Sequence, residues 1–207
     1  MDKYYFDYSS LSKKDRHKIS LSSIIPRPIA WITSINENRS INLSPFSFFT
    51  VLSSTLLVVS FSKEDKDKYK DTFVNILREK EAVVNIGNID SLDLIDKSSK
   101  PIAYNESEVE LLNLNVKDSS KVRTPYLSEA LVSFEVTLDN SIDFKYLDSD
   151  ELENNVVFLR IQAVHIDKSI FNLEKKYIDF EVLDPVSRLN GTNYGKSIKL
   201  AYKRNYT

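Results

Sequence analysis

The clearest pattern in the chain is the alternation over Leu131–Asp139, which places Val132, Phe134, Val136 and Leu138 on one face and Ser133, Glu135, Thr137 and Asp139 on the other. A two-residue period of this kind predicts a half-buried strand. Val156–Ile166 repeats the pattern, with Val157, Leu159, Ile161 and Ala163 sharing a face that ends at His165. Upstream, Ile29–Ile35 and Ile41–Phe49 read as strands joined by the turn-rich Asn36–Ser40, and the β-branched run Leu56–Phe61 reads as a buried third. Three strands in succession predict an antiparallel meander. Ala82–Ile86 is a further strand.

Helical spacing is rarer. Phe73, Ile76 and Leu77 predict a short amphipathic helix over Thr72–Glu79, with Asp71 as its N-cap, and Ser91–Ile95 reads as a second, capped by Asp90 or Ser91. Lys63–Lys70 is strongly charged and must face water, and Lys97–Tyr126, polar with scattered leucines, predicts a long surface excursion. Residues 1–20 read as a polar lead-in and residues 21–207 as one domain with a C-terminal extension. Strands dominate and do not alternate with helices, so the fold class is mainly β, a barrel or a sandwich.

Length and charge narrow the picture. A chain of 207 residues suits one domain of ordinary size, and 28 basic against 30 acidic residues leave a net charge near −2. No global field favours a polyanion, so nucleic acid is not an expected partner. Cysteine is absent and there are two histidines, which removes disulfides, a thiolate nucleophile and the usual ligands of a transition metal. No apolar run approaches a membrane span, and a cytoplasmic location is expected. Neither a Gly-x-Gly-x-x-Gly turn nor a phosphate-binding loop is present, and a serine triad lacks its nucleophile elbow.

Four groups of residues could carry chemistry. In Ile25–Thr33, Pro26 and Pro28 hold Arg27 in a stiff, extended approach to the first long strand, which also carries Trp31. Ser44, Pro45, Phe46 and Ser47, with Phe48 and Phe49, combine hydroxyls and aromatic walls of the kind a planar heteroaromatic ring needs; the alternative is a buried strand end. Lys70, Asp71 and Thr72 precede the amphipathic helix, with Asn75 one turn on. They either form an anion site or merely cap the helix. Gly191 in Arg188–Tyr194, one of three glycines, marks a turn whose Arg and Tyr could also meet a ligand. His165 shares an apolar strand face and reads first as a satisfied core residue, while His17 is expected to be solvated.

Taken together, Pro26–Thr33, Asn42–Phe49, Lys70–Thr72 with Asn75, Ala82–Asn85, His165 and Arg188–Tyr194 resemble the flavin reductase-like FMN-binding proteins, flavoredoxin-like members included. The resemblance runs from about residue 20 to residue 194. It implies an antiparallel split β-barrel of Greek-key type with a few short helices, usually a homodimer, with FMN held noncovalently. It further implies that Ser44, Pro45, Phe46 and Ser47 line the isoalloxazine and ribityl groups beside Arg27 and Trp31. Ser60, Ser62, Lys70, Asp71 and Thr72 would surround the phosphate, and Asn85, His165 and Tyr194 would be second contacts. The chemistry is then flavin-centred, with no protein group acting as catalytic acid, base or nucleophile and no metal. The leading expectation is hydride transfer from NADH or NADPH to flavin N5, serving a monooxygenase or an electron-transfer protein. The alternatives are an FMN-binding electron carrier and a non-catalytic barrel used as a binding module. Ser44 stands where the family often has Ala and could still bond the flavin; Asn190 stands where the family often has Gly, and its side chain narrows the space for a nicotinamide, which bears on the choice of donor.

Overall fold

The two alternating segments form the two longest strands of the molecule in a computed structural model that describes residues 1–63 and 68–202. They are β9 (Val132–Lys145) and β10 (Leu152–Ile166), paired antiparallel as a long hairpin. Before them come β1 (Arg27–Pro28), β2 (Ala30–Ile35), β3 (Ile41–Phe46), β4 (Phe49–Ser53), β5 (Leu56–Ser62) and β6 (Glu81–Ile86). The short pairs β7 (Val116–Lys117) with β8 (Tyr126–Leu127), and β11 (Phe171–Asn172) with β12 (Tyr177–Ile178), are accessory. Finally, β13 (Val186–Arg188) pairs with β1 and with β14 (Tyr194–Lys196).

Seven strands form one antiparallel sheet in the order β3-β2-β6-β9-β10-β5-β4. The predicted meander is therefore corrected: β2 and β3 make a hairpin at one end of the order, and β4 and β5 make another at the opposite end. What reads as a single strand over residues 41–49 is broken at Ser47 and Phe48, which alone separate β3 from β4. Because these outermost strands are consecutive in the chain, the sheet must roll until its edges approach each other. Among the described residues no ladder joins β3 to β4; the Ser60 N–H to Phe48 carbonyl bond, at 2.8 Å, carries the β4–β5 pairing one step into the β3–β4 connection. The result is a split β-barrel.

Ala30, Ile32, Leu57, Val59, Phe61, Val84, Val136, Val157 and Leu159 fill the interior, together with Phe73 and Ile76 from α2 (Asp71–Glu79). A second cluster lies on the outer face, where Trp31 and Leu43 pack against Ile95 of α3 (Leu92–Lys97), Val109 of α4 (Glu108–Leu111) and Leu127. With apolar groups on both sides, β2 is buried along its whole length. Segment 97–126 is thus no simple surface excursion, since Glu108, Val109, Val122 and Thr124 are buried. Nor does the polar face of 131–139 meet water throughout. Ser133 and Glu135 are buried because residues 120–122 donate backbone N–H groups to the Glu135 carboxylate.

One helix start differs from expectation. Lys70, not Asp71, occupies the N-cap of α2, and Asp71 is its first helical residue. Of the two residues expected to cap α3, Ser91 holds the N-cap position, although its side chain is engaged with Asn88 in a capping box on the preceding turn. Residues 1–20 are not a featureless lead-in, for Lys13–Ser23 forms α1, capped by Ser12. Helix α5 (Phe180–Leu183) precedes β13. Of the charged segment 63–70, residues 64–67 lie outside the described residues.

Candidate functional site

A cavity of about 600 Å³ opens at the split of the barrel. Its floor and walls come from the β3–β4 connection (Ser44, Pro45, Phe46, Ser47 and Phe48), from Ser60 and Ser62 of β5, and from Lys70 at the cap of α2. Phe46 stacks edge-on against buried Phe61 with centroids 4.6 Å apart, so the ring that faces the cavity is anchored in the core. The Ser60 hydroxyl accepts a bond from Asn154 Nδ2 at 2.6 Å and keeps its own proton to donate. Lys18, Arg27, Lys70 and Arg188 bring four cations, and no Asp or Glu is among the described residues that line the space.

Arg27 is buried, and its guanidinium turns toward protein carbonyls rather than open space. Nη1 donates to Leu21 O at 2.8 Å and Ile24 O at 3.0 Å, and Nη2 donates to Leu189 O at 2.9 Å. It thereby fastens the C-terminal end of α1 and the turn after β13, two walls of the cavity. Its Nε makes no hydrogen bond with any described residue. Burial, with the repulsion of Arg188 across the β1–β13 pair, pulls its pKa below the usual arginine value. Arg188 donates to the Thr192 and Gly191 carbonyls and lies 4.6 Å over the Tyr194 ring. Gly191 sits at φ +54°, the left-handed region its turn requires, and together with Asn190 lines the cavity. Tyr194 itself lies outside the lining; its hydroxyl donates to Asp96 at 3.0 Å, and burial followed by that bond raises its pKa.

The start of α2 is held by a buried amide network. Asn42 donates to Thr72 Oγ1 at 2.8 Å and to Ser34, while Asn75 donates to Ser34 and to Asn36 Oδ1 at 2.8 Å. Thr72 is 1 % exposed and so acts chiefly as part of this anchor. Asp71 and Thr72 border a smaller pocket of about 60 Å³, which shares Ser44, Phe46, Lys70 and Ser99 with the main cavity. Glu108 lies on the same pocket and accepts the Leu43 N–H at 2.8 Å. Burial, only partly offset by that bond and reinforced by Asp71, pushes its carboxyl up to about 6.

Besides Tyr194, three further expected contacts lie apart from the cavity. Trp31 is fully buried on the outer face of β2, where its indole donates to Ser98 Oγ at 2.9 Å. Asn85 is also fully buried; it donates to Trp31 O at 2.9 Å and accepts from the Leu127 N–H and the Ser133 hydroxyl. His165 stacks on Tyr126 at 4.1 Å and bonds Glu135 at 2.5 Å. Burial opposes ionisation of Glu135, but backbone donors and His165 outweigh it and hold the carboxyl below its usual pKa.

The lining contributed by α1 (His17, Lys18, Leu21 and Ser22) was not expected. No residue of α1 is buried, so the helix has no apolar stripe to betray it. The basic run Lys13–Lys18 is the signal that could have identified it.

The flavin reductase like domain family matches residues 21–178 of the chain. YwrF of Bacillus subtilis strain 168, an uncharacterized protein, is 33% identical over 196 residues, which cover 93% of this chain and 94% of that one. Nitrilotriacetate monooxygenase component B from Bacillus cereus superposes with a TM-score of 0.92 at 28% identity, covering 98% of this chain and 100% of that one. Flavoredoxin of Desulfovibrio vulgaris (Miyazaki F) shares the fold, with a TM-score of 0.73 at 18% identity over 88% of this chain and 92% of that one.

Proposed function

Since the chain belongs to the flavin reductase like domain family, we propose that it is an FMN-binding oxidoreductase that takes electrons from NADH or NADPH. One observation carries the reading: the cavity at the barrel split joins four cations, six serines and the rings of Phe46 and Phe48, with no carboxylate among its described lining. Its volume of about 600 Å³ falls in the range of cofactor sites. A ligand with a flat ring, a polar chain and a dianionic end fits that set of groups.

When bound, the flavin supplies a two-electron acceptor at N5, which the protein's own side chains lack. The residues of this chain position and charge-match it. In this reading Lys70, Ser60 and Ser62 meet the phosphate, with Asp71 and Thr72 supporting that end through α2. Ser44, Pro45, Phe46 and Ser47 pack and hydrogen-bond the ring and chain. Arg27 acts through its clamp on α1 and the 189–193 turn, and its buried charge adds to a field that favours an anionic reduced ring. Trp31 and Asn85 support β2 from behind, while Tyr194 acts through Arg188.

Similarity to a monooxygenase component B suggests a monooxygenase or another electron acceptor as the consumer of reduced flavin. Exposed Val51 and Leu52 on β4 offer an apolar surface that a second copy of the chain would cover in a homodimer. The test is anaerobic mixing of the flavin-loaded protein with NADH and with NADPH. Prompt bleaching of the oxidised band at about 450 nm is expected. Persistence of that band with both donors would overturn the reductase reading and leave an electron carrier.

A further inference from the structure

A second cavity, of about 610 Å³, lies between α1 and the tip of the β9–β10 hairpin. It shares His17, Leu21, Phe48 and Ser62 with the cavity at the barrel split, so the two chambers adjoin. Lys13, Lys14, Arg16 and Lys63 line it against a single carboxylate, Glu153. Two of these cations fix the chamber's shape: Lys13 pairs with Glu151 at 2.9 Å and Arg16 with Asp148 at 2.7 Å, which ties α1 to the hairpin. Lys14 makes no hydrogen bond or ion pair with any described residue, so its charge remains available to a ligand. Tyr8 and Tyr146 add aromatic surface.

Resting on the reading of the first cavity as the flavin site, we infer that this second chamber holds the phosphate-bearing outer half of a pyridine dinucleotide and selects the form with the additional 2′-phosphate. Two adjoining chambers suit a ligand of two ring systems joined by a charged linker, whereas a mononucleotide needs only one. The nicotinamide end then reaches the flavin cavity past Phe48. The excess of lysine over carboxylate answers the extra phosphate, and lysine binds phosphate as a mobile point charge.

The experiment titrates NADP⁺ and NAD⁺ into the flavin-loaded protein by calorimetry, for the wild type, Lys14→Glu and, as a control, Lys168→Glu, which is exposed and outside both cavities. NADP⁺ is expected to bind at least about tenfold more tightly than NAD⁺, with that advantage abolished in Lys14→Glu and kept in Lys168→Glu. Equal affinities in the wild type, no NADP⁺ binding, or an advantage that survives Lys14→Glu would overturn the inference. Because binding is read without turnover, the proposed function fails separately: tight, Lys14-dependent NADP⁺ binding with no bleaching by NADPH would sink the reductase reading and leave the subsite standing.

Discussion

Glu108 shows how one buried group ties the site to pH. Its folded value of about 6 lies above the ordinary 4.5, so the fold favours the protonated form. The resulting stabilisation is fully present below about pH 4.5 and is lost as pH rises through 6; a shift of this size corresponds to about 2 kcal/mol. Glu108→Gln is expected to flatten the stability profile between pH 4.5 and 7 in urea titrations, while an unchanged slope would refute the assignment. Asn85 makes the opposite kind of contribution, joining β2, the Leu127 backbone and Ser133 on β9. Asn85→Ala leaves these groups unpaired in a dry interior and should cost about 2–4 kcal/mol in chemical denaturation, because buried polar groups are costly once orphaned. At Gly87 an added Cβ would run into the Cδ1 end of the buried Ile95 side chain, so Gly87→Ala forces that side chain to repack and should lower the melting temperature.

At the scale of elements, the legible parts of the fold are those whose burial repeats with a clean period. The cores of β9 and β10 follow from Val132, Val136, Val157 and Leu159, and α2 follows from Phe73 and Ile76. Helix α1 was illegible because it is held by polar bonds to neighbours remote in sequence, among them Arg16–Asp148 and the Arg27 bonds to its last carbonyls. The break at Ser47 and Phe48 was equally hidden, since the two edges it joins are set by pairings with β2 and β5. Of the candidate site, the β3–β4 residues, Ser60, Ser62 and Lys70 do share one cavity, but Trp31, Asn85 and His165 do not. Each of those three is taken up by a buried or half-buried bond to another part of the fold, which spacing along a strand does not reveal. A prediction belongs here. The pairs that hold α1 are solvent-exposed on one or both sides, so Asp148→Ala with Glu151→Ala should change global stability by less than about 1 kcal/mol. The same change should speed amide exchange in α1, and unchanged exchange there would show that the clamp is not what holds the helix.

For the whole molecule, a sheet whose first and last strands are consecutive in the chain rolls into a barrel and leaves a seam, and the seam supplies the cavity. Cations reach it from α1, β1, α2 and β13, which is why composition near neutrality conceals a locally cationic site. No helix among the described residues is long and apolar enough to cross a membrane. The central claim, that this seam binds FMN, is tested most directly by titrating FMN into apoprotein and following the quenching of flavin fluorescence. The account predicts saturation at one FMN per chain, weakened by about 2–3 kcal/mol in Lys70→Ala as a charge-assisted phosphate contact is lost. Absence of FMN binding by the wild type, or affinity unmoved by Lys70→Ala, would contradict it.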